Sequence, residues 1–159
     1  MPALENPITL YMPAAIPYDS DITIVKPVIL DKDIITINCC HNNRIELEEY
    51  PGEQLLITDC STSGDKCTGS VNVVIKNCPD LKKLDIPVCV RGETNIVIEN
   101  CPALTELCLK CSASAPAEII LPRVSISSVS GAFTAKADSV MRKVIGNVNT
   151  FAGYPLADV

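Results

Sequence analysis

Thiols, carboxylates and one imidazole are the groups through which this chain could do chemistry. Cys108 and Cys111 form a C-x-x-C, and Cys39, Cys40 and His41 adjoin one another elsewhere. Four soft ligands drawn from these would suit tetrahedral zinc. A structural zinc site uses two well-spaced pairs, however, and adjacent side chains on a strand point to opposite faces. Cys39–Cys40 is therefore a poor chelator, and no metal site is assigned. A redox C-x-x-C needs a helix start to stabilise its thiolate. The run C-L-K-C closes a predicted strand instead, so redox catalysis is not expected. His41 is the only candidate base, and it stands beside Asn42 and Asn43 in a turn. Serines cluster at 112–114 and 125–130 without the G-x-S-x-G of a nucleophile elbow. Glu46 and Glu48 alternate with Leu47 and share one strand face; Glu49, Asp31 and Asp33 add further carboxylates. Two acids roughly 5–9 Å apart can hydrolyse a glycosidic bond, but a solvated acidic face is the simpler expectation. No glycine-rich loop leads into a helix to cradle phosphate. No catalytic residue, cofactor or metal is assigned.

The composition narrows the classes further. Thirteen basic and nineteen acidic residues give a net charge of −6, where a nucleic-acid binder should carry a basic surplus. Hydrophobic residues make up 47% of the 159 residues, enough for a packed core. Aromatic residues are only 4% and Trp is absent, which argues against a ring-stacking platform. The N-terminal run MPALENPITLYMPAAIPYDS lacks the basic and unbroken apolar regions of a signal peptide. No stretch approaches the ~18 apolar residues of a membrane span. The expected location is the cytoplasm, or incorporation in a virion or other assembly. Nine cysteines, an odd count without a leader, favour reduced thiols acting as small core residues, with disulfides or metal as lesser alternatives.

Three regions follow one another. Residues 1–33 hold five of the twelve prolines and the β-like runs ITLYM (8–12) and ITIVKPVIL (22–30). Proline cannot serve a central ladder, so this is an extended arm or edge strand, packed on its own domain or reaching a neighbour. Residues 34–130 form a β-rich body dominated by Ile and Val. Residues 131–159 are a C-terminal helix and tail. Phe133, Ala137, Val140, Met141, Val144, Ile145 and Val148 share one face at helical spacing, with Lys136, Asp138, Arg142 and Lys143 off it. That helix would cap the β body or dock a partner.

The body repeats itself. LLITDC (55–60), VVIKNC (73–78) and IVIENC (96–101) align without gaps. NCPDLKKLDI (77–86) and NCPALTELCL (100–109) share a second half, with Leu81, Leu84 and Ile86 after Cys78 matching Leu104, Leu107 and Leu109 after Cys101. Cys39 is followed at the same later offsets by Ile45 and Leu47. About four coils of two short strands each are expected, stacked so that Ile lies over Ile and Leu over Leu. Cys39, Cys60, Cys78 and Cys101 should stack at one corner, each preceded by Asn38, Asp59, Asn77 or Asn100. Amide side chains there would bond the next coil's backbone.

The runs L-K-K-L-D-I-P-V-C (81–89) and L-T-E-L-C-L-K-C (104–111) resemble the leucine-rich-repeat family, and C-P-D-L-K-K-L-D-I-P (78–87) is similar to the 23-residue repeats of bacterial surface-type members. The resemblance covers residues 34–116 and two repeats match well. It departs from the family at T-N-I-V-I-E-N (94–100), which reads as a strand. It implies a protein-binding scaffold. The expected fold is mainly β, a short irregular β-solenoid of leucine-rich-repeat-like stacked coils. The expected function is a non-catalytic structural subunit with protein partners in a homo- or hetero-oligomeric assembly. One alternative is a monomeric binding module with Lys76, Asp85, Glu99 and Glu106 on its strand face. The other is a small carbohydrate-active β-helix enzyme using Glu46 and Glu48.

Overall fold

A computed structural model describes residues 22–25, 34–59, 68–89, 91–111, 123–128, 133–146 and 148–158, with the backbone alone at 22–25 and 111. ITLYM at 8–12 and Cys60 lie outside the described residues. The chain is mainly β. Its strands are β1 (Ile22–Val25), β2 (Ile34–Ile37), β3 (Asn42–Glu48), β4 (Gln54–Asp59), β5 (Ser70–Lys76), β6 (Lys83–Val88), β7 (Glu93–Glu99), β8 (Glu106–Cys111), β9 (Arg123–Ser128), β10 (Thr134–Ala137), β11 (Thr150–Phe151) and β12 (Tyr154–Asp158), with the helix α1 at Ser139–Ile145.

Strands β1 to β10 alternate between two sheets. The first runs β1-β3-β5-β7-β9 and the second β11-β12-β10-β8-β6-β4-β2. Every ladder is parallel except β11 with β12. Period-two patterning explains why these segments are strands. In β5, Val71, Val73 and Ile75 are buried, while Ser70, Asn72, Val74 and Lys76 are partly exposed. The register then sets like over like: Ile45 beside Val73, Ile96 and Ile126, and Leu84 beside Leu107 and Ala135. Inward residues of both sheets join one hydrophobic core, which includes Leu81, Leu84, Ile86, Leu104, Leu107 and Leu109.

The C-terminal region differs from the expected helix over 132–148. Residues 134–137 are β10, parallel to β8, and Phe133, Ala135 and Ala137 point inward. Spacing of four between Phe133 and Ala137 satisfies both a helical and a strand period, and the backbone partner on β8 decides for the strand. The helix starts only where Asp138 caps it, its carboxylate accepting from the Met141 N–H at 2.7 Å. Gly146, at φ 80°, ends it. Met141, Val144 and Ile145 join the core, whereas Val148 is exposed. The second sheet thus continues past residue 130 through β10 and β12. At the other end, β1 is the outermost strand of the first sheet among the described residues.

Candidate functional site

A repeated turn lies where first-sheet strands end and the chain passes toward the second sheet. Glu49, Asn77 and Asn100 follow β3, β5 and β7, with φ of 60°, 54° and 54°. This left-handed turn aims the next side chain into the core. Tyr50, Cys78 and Cys101 are those residues, at 4%, 0% and 0% exposure. Pro51, Pro79 and Pro102 come next and stop the strand from continuing.

Hydrogen bonds lock the turns after β3, β5 and β7 to one another. The Glu49 N–H donates to the Lys76 carbonyl at 3.1 Å, and the Asn77 N–H to the Glu99 carbonyl at 2.9 Å. Asn100 Nδ2 donates to Asn77 Oδ1 at 2.8 Å, and Asn77 Nδ2 donates to Glu48 Oε1 at 3.3 Å. Above the turn lies a groove of about 430 Å³ whose walls include Glu49, Asp80, Asn77, Asn100 and the three prolines. Beneath it, Cys78 Sγ donates to the Lys76 carbonyl at 3.2 Å and Cys101 Sγ to the Glu99 carbonyl at 3.4 Å. The two thiols are in side-chain contact, and this neighbour, with burial, pushes the Cys78 thiol up. The same contact pulls Cys101 down to about 7, because a Cys78 S–H can donate to a Cys101 thiolate. Each sulfur is removed from water and has a backbone carbonyl within donor reach.

A second corner follows the second-sheet strands. The Cys39 N–H donates to Asp59 Oδ1 at 2.9 Å, and Cys40 N–H to Asn38 Oδ1 at 2.9 Å. Cys39 contacts Cys89, and this thiol and burial push Cys39 up. Cys40 is disulfide-bonded, whereas Cys39, Cys78, Cys89, Cys101 and Cys108 are free thiols; the reduced-thiol expectation does not hold for Cys40. The backbones approach closely here. A Cβ on Gly92 would sit 1.7 Å from the Gly69 carbonyl oxygen, and one on Gly69 would sit 2.0 Å from that of His41.

The expected four-step ladder is therefore divided. Asn77 with Asn100 and Cys78 with Cys101 come together at the first corner. Asn38, Cys39 and Asp59 lie at the second. The reason is phase: β4 belongs to the second sheet, so L-L-I-T-D at 55–59 lies in the sheet opposite V-V-I-K and I-V-I-E. Ile45 and Leu47 likewise sit in the first sheet, while Leu84 and Ile86 sit in the second. The missed corner residue is Tyr50, and its signal was the proline after it, shared with Cys78-Pro79 and Cys101-Pro102.

The other candidates are dispersed. Lys76 pairs with Glu99 at 3.8 Å on the first sheet. Asp85 pairs with Lys110 at 3.1 Å and Glu106 with Lys136 at 3.0 Å on the second. The expected Lys76–Asp85–Glu99–Glu106 binding face is thus two faces, because β6 and β8 lie in a different sheet from β5 and β7. Glu46 pairs with Arg44. Cys108 is on the outer face of β8 yet only 1% exposed, and burial beside Asp85 pushes its thiol up. Among the described residues, no three His, Cys, Asp or Glu side chains are placed to hold one metal ion, and no helix is long and apolar enough to cross a membrane. No family model, curated protein or solved structure matches the chain.

Proposed function

We propose that the chain is a short irregular β-solenoid, leucine-rich-repeat-like in β6 and β8, and that it serves as a non-catalytic structural subunit of a larger protein assembly. The alternation of strands between two parallel sheets supports the solenoid reading, one rung of each sheet per coil. The observation that carries the assembly reading is the state of β9, the last strand of the first sheet among the described residues. Val124 and Ile126 of β9 stand in register with Thr94 and Ile96 of β7, which are 0% and 1% exposed, yet both are only partly buried. An edge strand with half-covered apolar residues is a surface that another chain can complete.

Light scattering on the purified chain in reducing buffer tests this. The expected result is an absolute mass at a multiple of the chain's own, moved toward the single-chain value by Ile126→Lys. A monomer at all concentrations would overturn the assembly reading and leave the solenoid as a single-chain scaffold.

A further inference from the structure

The structure assigns Cys78 and Cys101 as a covalent modification site, a thiol pair placed to close into a disulfide that staples one coil to the next. This goes beyond the assembly reading and does not depend on it. Cys78 and Cys101 each follow their strand by two residues, and those strands are in register at Lys76 and Glu99. In-register positions on neighbouring parallel strands are about 4.8 Å apart, within the Cα separation of roughly 4.4–6.8 Å that a disulfide spans. Both side chains enter the core on the same side of the turn, because Asn77 and Asn100 share the same left-handed conformation. The sulfurs overlap in reach. Cys101 Sγ lies 3.9 Å from the Ile75 carbonyl oxygen, on the strand that leads to Cys78, while Cys78 Sγ lies 3.2 Å from the next carbonyl of that strand, Lys76. The amide bond from Asn100 to Asn77, at 2.8 Å, holds the two turns in this register. Both residues are thiols in this structure, although Cys40 is already oxidised.

The co-reactant is a low-molecular-weight disulfide such as oxidised glutathione. The Cys101 thiolate attacks one sulfur of that disulfide, forming a mixed disulfide and expelling one glutathione thiolate. The Cys78 thiolate then attacks the Cys101 sulfur and expels the second. Two protein thiols are oxidised, one small disulfide is reduced to two thiols, and the two protein protons pass to the leaving thiolates. Since both thiols are fully buried, the bridge forms during folding, before the corner closes, and folded reduced protein reacts slowly.

The test is to unfold and reduce the full chain, then refold it in a mixture of reduced and oxidised glutathione. Tryptic digestion without reduction should link the peptide at 77–82 to that at 92–110, with fragmentation placing the bridge at Cys101 rather than Cys108. Folded reduced protein given the same mixture should form this link at least tenfold more slowly. The bridged protein should unfold at higher urea than the reduced one. Cys78 remaining fully alkylatable after refolding would overturn the proposal, as would its predominant linkage to any cysteine other than Cys101. The wild-type chain carries this readout, so no variant need fold.

Discussion

Asn77 offers the sharpest test of the corner. Its backbone sits at φ 54°, and its side chain takes one bond from Asn100 and gives one to Glu48. Asn77→Ala removes both bonds, each worth about 0.5–1.5 kcal/mol, and places a Cβ in a left-handed conformation that costs roughly 1–2 kcal/mol. Asn tolerates that conformation better than Ala, so part of this cost is new. The expected loss is about 2–3 kcal/mol. Asn77→Gly loses the same bonds but relieves the backbone, at an unfolded-state entropy cost of about 0.5–1 kcal/mol. Gly should therefore be more stable than Ala at 77, by about 0.5–1 kcal/mol. The control is Lys82, an exposed residue just before β6 without positive φ, where Ala should be more stable than Gly. Urea unfolding followed by circular dichroism reads all four variants. Ala at 77 as stable as Gly would show that the chain does not turn left-handed there, and the coil register described above would fail with it.

Three further outcomes follow from the same packing. Gly92→Ala would drive a Cβ to 1.7 Å from a backbone oxygen that cannot rotate away, so it should cost about 3 kcal/mol or more, seen as loss of the folded fraction in urea. Cys78→Ser puts a hydroxyl at a fully buried corner and should destabilise by about 1–3 kcal/mol; a change within ~0.3 kcal/mol would mean the corner is solvated. Stability should also fall in alkali. The Cys39 and Cys78 thiols are pushed up in the folded chain by a neighbouring thiol and burial, while unfolded thiols ionise near pH ~8.5. Their contribution is complete below that pH. Above it the unfolded state releases protons that the folded state keeps, so each thiol should remove about 1.4 kcal/mol per pH unit. Urea midpoints from pH 8 to 10.5 check this, and a flat profile would mean the thiols ionise in the folded protein.

The strands of β5 and β7 were legible because Val71, Val73 and Ile75, and Ile96 and Ile98, alternate with polar residues and point to one side. The C-P-x-L-x-x-L-x-[IL] match placed β6 and β8 for the same reason. What was not legible was the phase of the remaining coils. Asp59-Cys60 resembles Asn77-Cys78 in residue type, but the fold reads position within the coil: a left-handed residue, an inward side chain, then proline. Glu49-Tyr50-Pro51 fulfils that grammar with different residues. Tyr50 occupies the inward site at 4% exposure, whereas Cys78 and Cys101 occupy theirs in contact with each other. The Cys40 disulfide was out of reach for another reason, since connectivity is not encoded in cysteine spacing. Thiols therefore do different work at the two corners. At the first they are interchangeable with any apolar group of suitable volume until a second thiol stands in register beside them. Among the described residues only the Cys78–Cys101 step meets that condition there, which is why covalent closure at this corner joins the turn after β5 to the turn after β7.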